Sequence, residues 1–306
     1  MALKGKALAK GEKIGLTAPA GPVGQERLDQ AVLVLEEMGF KVEIGFSCRQ
    51  KYQEYLAGKP EDRAKELNWM FANPTIAAIW CLRGGYGSPQ ILPLLDYDLI
   101  GRNPKLLVGY SDITALHIAL QQKCHLPTLH GPMPASDLIE ADSFTKHHVL
   151  KLAMGGNPPL EILNPGAEQA KTLVPGEAAG ILTGGNLAII SCLMGTPYEL
   201  DARDKILFLE DVGEEPYKID RMLTQLAMGG KFSDAAGVML GSWTDCGSEH
   251  VLEEIFERII APYGKPVLYH IKAGHCSPML TLAMGVKIRL NASAAKWNME
   301  ESACFL

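Results

Sequence analysis

Three things are missing from this sequence: a long hydrophobic run, a basic stretch and a closely paired cysteine motif. Each absence removes a class of protein. No segment approaches the ~20 apolar residues of a membrane-spanning helix. Met1 to Lys13 carries Lys4, Lys6, Lys10 and Lys13 with only short apolar pieces between them, and no apolar core of a signal peptide follows. The expectation is a cytoplasmic protein with no membrane partner. Lys and Arg total 29 against 35 Asp and Glu, for a net charge of −6. The basic residues are scattered, whereas a nucleic-acid partner needs a basic face, so none is expected. The seven cysteines (Cys48, Cys81, Cys124, Cys192, Cys246, Cys276 and Cys304) are odd in number and dispersed, with no Cys-x-x-Cys pair. That argues against a zinc ribbon, a thioredoxin-type motif or a disulfide scaffold. No His-Glu-x-x-His or comparable cluster implies a metal. Gly84-Gly85-Tyr86-Gly87 lacks the Gly-x-Gly-x-x-Gly spacing of a dinucleotide site. Neither metal nor cofactor is expected.

What is present is a globular composition, 47% hydrophobic and 21% charged over 306 residues, comfortable for two domains. Ile14 to Ala18 is apolar and gives way to the turn Pro19-Ala20-Gly21-Pro22. Leu28, Ala31, Val32 and Leu35 then recur at helical spacing until Gly39. Lys41 to Ile44 reads as a strand. Pro60-Glu61-Asp62 opens a helix with proline and acid in its first turn, suiting the helix dipole. Ile76 to Leu82 reads as a strand ending in Arg83-Gly84-Gly85-Tyr86-Gly87. This alternation predicts an α/β fold, with an N-terminal, mostly parallel sheet flanked by helices, flavodoxin- or amidotransferase-like. Its ligand site should lie beyond the carboxyl ends of the strands. The Pro- and Gly-rich stretch that follows predicts a linker over 157–177. It divides a domain over 1–156 from a smaller, mixed β/α domain over 178–306. There, Ile206 to Leu209 and Val238 to Leu240 read as strands, and Tyr217 to Met228 and Glu249 to Ile260 as helices.

Ser111 stands between the apolar run Leu106 to Gly109 and the amphipathic stretch Asp112 to Leu120. A strand that turns abruptly into a helix exposes a hydroxyl beside free helix N–H groups, as a serine nucleophile requires. Serine is equally a favoured helix N-cap. A nucleophilic serine needs a base, and the base an orienting carboxylate. His117 falls within the following helix, and His147-His148 sits in a charged, helix-like segment that reads as solvated surface. His125 and His130 are weak candidates, His250 opens a helix and His270 ends a strand. His275, in the small-residue loop Ala273-Gly274-His275-Cys276-Ser277-Pro278, is placed to reach a site. For the acid, an apolar strand ends in Glu210-Asp211, whose side chains alternate faces, with Glu214 and Glu215 close by. Cys81 reads as buried and inert, and Cys276 diverges from its neighbour His275.

Together these segments resemble the LD-carboxypeptidase family of serine peptidases. Val108-Gly109-Tyr110-Ser111-Asp112-Ile113-Thr114 is similar to the family's nucleophile motif. In order along the chain come Arg83 to Gly87, His130-Gly131-Pro132, Gly184-Gly185-Asn186-Leu187, Glu210 with Tyr217 to Arg221, and Gly274-His275. The resemblance implies a triad of Ser111, Glu210 and His275, an oxyanion hole from the N–H groups of Gly85 and Asp112, and substrate contacts from Arg83, Gly84, Tyr86 and Asn186. It implies a cytoplasmic muramoyl-tetrapeptide carboxypeptidase, acting as a homodimer in a site between its domains. Such an enzyme releases the terminal D-alanine of murein tetrapeptides in cell-wall recycling. Two departures stand out: Ile113 replaces the second glycine of a Gly-x-Ser-x-Gly elbow, and Ala283-Met284-Gly285 lacks a customary proline. Two rival readings are an immunity-type peptidase cleaving a peptide-nucleotide antibiotic, for which Trp243 would stack on the base, and a noncatalytic α/β ligand-binding protein in which Ser111 only caps its helix.

Overall fold

A computed structural model describes residues 3–156, 158–166 and 168–305. The chain forms two compact units. One comprises Met1–Gly156, Thr281–Gly285 and Ala303–Leu306, and the other Asn157–Leu280 and Val286–Ser302.

In the first unit the elements run β1 (Gly5–Lys6), β2 (Lys13–Thr17), α1 (Gln25–Glu37), β3 (Lys41–Ile44), α2 (Pro60–Ala72), β4 (Ala78–Cys81), α3 (Ser88–Ile91), α4 (Tyr97–Arg102), β5 (Leu106–Gly109), α5 (Thr114–Cys124), β6 (Thr128–His130) and α6 (Ser143–Ala153). β4 and β5 are buried along their whole length, as expected of central parallel strands covered on both faces. β3 carries Lys41 and Glu43 and forms an edge, where charge deters further pairing. α1 turns Leu28, Ala31, Val34 and Leu35 inward, and each of the buried Leu and Val side chains contributes roughly 1.5–3 kcal/mol. The parallel strands lie in the order β6-β5-β4-β2-β3. The chain therefore leaves β2 in one direction for β3 and then crosses to β4 on its other side. A ligand crevice belongs at that reversal, outside the carboxyl ends of β2 and β4. The loops that begin there are those holding Gly21 and Gly84.

The second unit continues with β7 (Leu160–Ile162), β8 (Lys171–Val174), β9 (Glu177–Asn186), α7 (Leu187–Leu193), β10 (Ile206–Val212), α8 (Pro216–Met228), α9 (Lys231–Asp234), β11 (Gly237–Thr244), α10 (Glu249–Ile259) and β12 (Val267–Tyr269). The chain then supplies β13 (Leu282–Met284) to the first unit, where it pairs antiparallel with β6. After β14 (Lys287–Asn291) and β15 (Lys296–Met299) it returns as β16 (Cys304–Phe305), which pairs with β1. The second sheet has the order β7-β15-β14-β9-β10-β11-β12-β8, parallel through β9-β10-β11-β12 and antiparallel at both edges.

Two features differ from the expected organisation. The stretch read as a linker over 157–177 contributes β7 and β8, so it is part of the second sheet. Residues 281–285 and 303–306, read as C-terminal domain, belong to the first unit. Edge strands made of a few half-exposed residues leave almost no hydrophobic pattern, and pairing between distant segments leaves none. Among the described residues, no helix is long and apolar enough to cross a membrane.

Candidate active site

Ser111 follows β5 directly, with its backbone at φ +63. The left-handed region costs an ordinary residue about 1–3 kcal/mol, and such strain persists only where the surroundings impose it. Here the constraint comes from both sides: β5 is locked in the sheet, and the short 3₁₀ turn Ser111–Ile113 leads straight into α5. Tyr110 and Ile113 occupy the caps of the 3₁₀ turn and of α5, and neither makes a side-chain capping bond. Ser111 is therefore not the N-cap of its helix.

The loop after β4 lies against this turn. A methyl group added at Gly84 would stand 3.0 Å from Ser111 Oγ and 3.5 Å from the Asp112 nitrogen, so any larger residue would press the loop away from Ser111. The Gly84 carbonyl accepts a hydrogen bond of 3.1 Å from Gly21 N–H, which joins the loops after β2 and β4. Neither the Gly85 N–H nor the Asp112 N–H meets an intramolecular acceptor among the described residues. Arg83 is half-buried and donates from Nη1 to the Pro22 carbonyl at 3.2 Å. It borders a cavity of about 570 Å³, also lined by Pro22, Arg27, Lys51 and Glu54. Tyr86 is exposed, with its ring centroid 5.9 Å from that of Tyr55.

In the second unit, Glu210 is completely buried on β10. Its Oε2 accepts from His275 Nδ1 at 2.7 Å and from the His275 backbone N–H at 3.2 Å. Gly274, at φ +102, makes room for this pair: a methyl group there would lie 2.5 Å from Glu210 Oε2. The His275 carbonyl accepts from Ser242 Oγ at 3.3 Å and from Thr244 Oγ1, both on β11. With Glu210 Oε2 accepting at Nδ1, that nitrogen holds the proton, and in the neutral ring Nε2 carries the lone pair. The neighbouring acid has a separate task. Asp211 accepts from Asn186 Nδ2 at 2.8 Å and from the Ala188 and Val212 N–H groups, each at 2.9 Å. Burial first, and then the charge of Glu210, push its carboxyl up to about 6. Asn186, expected at the substrate, caps α7 through Oδ1 and is buried. The alternation along β10 thus gives Glu210 to the histidine and Asp211 to the start of α7.

The other candidates separate from this arrangement. His117 Nε2 donates to the Gly109 carbonyl, 2.8 Å away, and burial pushes its pKa down to about 4. His148, expected on the surface, is buried; its Nδ1 accepts from Thr281 N–H at 3.0 Å, and burial again lowers it to about 4. It lies on the same face of α6 as Thr145, Val149 and Leu152. Cys81 is buried, with its thiol pushed far up by burial. Trp243 packs on Phe256 with ring centroids 5.1 Å apart. Glu249, Glu253 and His270 lie within metal-ligand reach of one another. Lys171 already supplies a cation there, 2.6 Å from Glu249.

The chain matches the model of the LD-carboxypeptidase N-terminal domain over residues 14–131 and that of the C-terminal domain over 179–290. It is 41% identical to the probable murein peptide carboxypeptidase of Bacillus subtilis over 95% of this chain and 92% of that protein. It is 32% identical to the murein tetrapeptide carboxypeptidase of Pseudomonas aeruginosa, over 93% and 95% of the two chains. The solved structure of the microcin self-immunity protein MccF in complex with glutamyl sulfamoyl guanosine superposes with a TM-score of 0.88 at 27% identity, over 99% of this chain and all of that one. Two matched domain models and relatives aligned nearly end to end show that this chain belongs to the LD-carboxypeptidase family.

Proposed function

We propose that this protein is a serine-type carboxypeptidase that releases terminal D-alanine from murein tetrapeptides, with Ser111 as nucleophile. The observation that carries this reading is the left-handed Ser111 at the end of β5, with the Gly85 and Asp112 N–H groups meeting no intramolecular acceptor among the described residues. His275 Nε2 takes the Ser111 proton as Oγ attacks the carbonyl between the L-centre and D-Ala. The Gly85 and Asp112 N–H groups receive the oxyanion. The imidazolium, held by Glu210, then protonates the departing amine of D-alanine. Water enters and releases the acyl group by the same steps in reverse. The D-Ala carboxylate meets the cationic wall formed by Arg83, while Gly84 and the exposed ring of Tyr86 border the bound peptide. Asn186 acts at one remove, by fixing Asp211 beneath α7. Recycling of wall fragments suits a cytoplasmic enzyme, and the family resemblance suggests a homodimer.

The test is release of D-alanine from a purified murein tetrapeptide. Ser111→Ala and His275→Ala should each lose on the order of 10⁴ or more in turnover while keeping the wild-type circular dichroism spectrum. Activity above about 1% of wild type in either variant would contradict the assignment, because a missing triad member removes far more.

A further inference from the structure

The mechanism above makes no use of a charged residue enclosed in the first unit. Arg63 on α2 has no solvent exposure, and burial lowers its pKa, with Asp112 the largest opposing influence. A buried guanidinium is tolerated only when its donors are occupied, and the identity of these acceptors is informative. Nη1 donates to the Pro19 carbonyl in the loop after β2, and to the Gly87 carbonyl, 3.0 Å away, in the loop after β4. Nε donates to the Gly58 carbonyl at 3.1 Å and Nη2 to Gln90 Oε1 at 2.7 Å. One side chain therefore holds both loops whose backbones meet at Gly21 and Gly84.

The same end of the glycine loop is held again, one residue further on, by the residue next to the nucleophile. Asp112 is 1% exposed, and its Oδ2 accepts from Ser88 N–H at 2.7 Å. Residues 84–86 are thus held at one end by the Gly21 N–H on the Gly84 carbonyl, and at the other by Arg63 at Gly87 and Asp112 at Ser88. Gly87 packs so closely that a methyl group there would lie 2.8 Å from Arg63 Nη1.

We infer that Arg63 and the Asp112 carboxylate are positioning residues that set the Gly85 N–H against Ser111, so that the oxyanion hole exists before substrate arrives. This rests on the proposed function, which makes Gly85 a donor. An oxyanion donor acts on the transition state and little on the bound ground state. The expected signature is a fall in kcat with KM unchanged.

The experiment measures the rate of fluorophosphonate attachment to Ser111, mapped by peptide mass spectrometry, alongside kcat and KM for D-alanine release. The variants are Arg63→Met, Arg63→Lys and Asp112→Ala, with Leu67→Ala one turn further along α2 as a control of equal burial. Arg63→Met and Asp112→Ala should each lower attachment and kcat about 10²-fold at unchanged KM. Arg63→Lys keeps the charge but cannot present donors to both loops as a planar fork does, and should fall about tenfold. If Arg63→Met does not fold, Arg63→Lys carries the test. Leu67→Ala should unfold at lower temperature yet retain wild-type rates below its transition. The inference fails if the Arg63 variants are destabilised like Leu67→Ala and keep wild-type rates, or if KM rises as far as kcat falls. Wild-type enzyme that takes the label but releases no D-alanine would overturn the substrate reading and leave the clamp measurable by labelling. No adduct on Ser111 at all would overturn both.

Discussion

In the proposed mechanism, the chemistry at the carboxyl edge of the first unit's sheet is carried by backbone. Ser111 sits at φ +63, and the Gly85 and Asp112 N–H groups lack intramolecular acceptors among the described residues. At the corresponding edge of the second unit's sheet it is carried by side chains, with Glu210 and His275 joined at 2.7 Å and the histidine carbonyl tethered to β11. Parallel strands ending in loops serve both. A site made of backbone depends on close approach and is vulnerable to added atoms. A site made of paired side chains depends on charge and proton position, and is vulnerable to substitutions that leave shape intact.

The largest effect that would test this contrast is Glu210→Gln. The amide preserves shape but turns the imidazole toward the wrong tautomer and leaves the developing imidazolium without its counter-charge. Turnover should fall about 10³–10⁴-fold with the fold unchanged. A fall below tenfold, measured by D-alanine release, would show that the pair at the second edge is structural. In the first unit, Gly84→Ala adds a single methyl group 3.0 Å from Ser111 Oγ. It should lower kcat about 10²-fold, comparable to the loss of one oxyanion donor. Wild-type kcat in that variant would mean that the loop and the nucleophile do not need to touch.

The units also differ in their response to acid, the smallest effect here. His117 and His148 are in the first unit, each lowered by burial from 6.5 to about 4. A base whose folded pKa is depressed stabilises the fold fully above its unfolded pKa, and that contribution is lost as pH falls from 6.5 toward 4. Asp211, in the second unit, is raised to about 6, so its contribution has the opposite sign, present below its unfolded pKa and lost as pH rises through 6. Urea unfolding of His148→Gln should show about 2–3 kcal/mol less loss of stability between pH 7 and pH 4.5 than wild type. An identical loss in both proteins would show that His148 does not titrate with folding.

How much of this could be read from the chain depended on the kind of signal. β4 and β5 are fully apolar and α10 is strongly amphipathic, so local pattern found them. Ser111 stands at a strand-to-helix transition and His275 in a loop of small residues, and the ordered family motifs marked them together with Glu210. The pairing of β13 with β6 was invisible because nothing local encodes a partner so distant in sequence. His148 was hidden by charged neighbours, although Val149 and Leu152 share its buried face. Arg63 left a usable trace: it occupies a position one turn before Leu67 and two before Met70, on the apolar stripe of α2. A cation on such a stripe must find acceptors inside the protein, and here they include the loops after β2 and β4.

The most direct test of the central claim, that Ser111 is a nucleophile activated by the histidine of the second unit, is fluorophosphonate labelling of wild type and His275→Ala followed by peptide mapping. The account predicts one adduct, on Ser111, forming at least about 10²-fold more slowly in His275→Ala. An adduct on another residue, or an equal rate on Ser111 without His275, would contradict it.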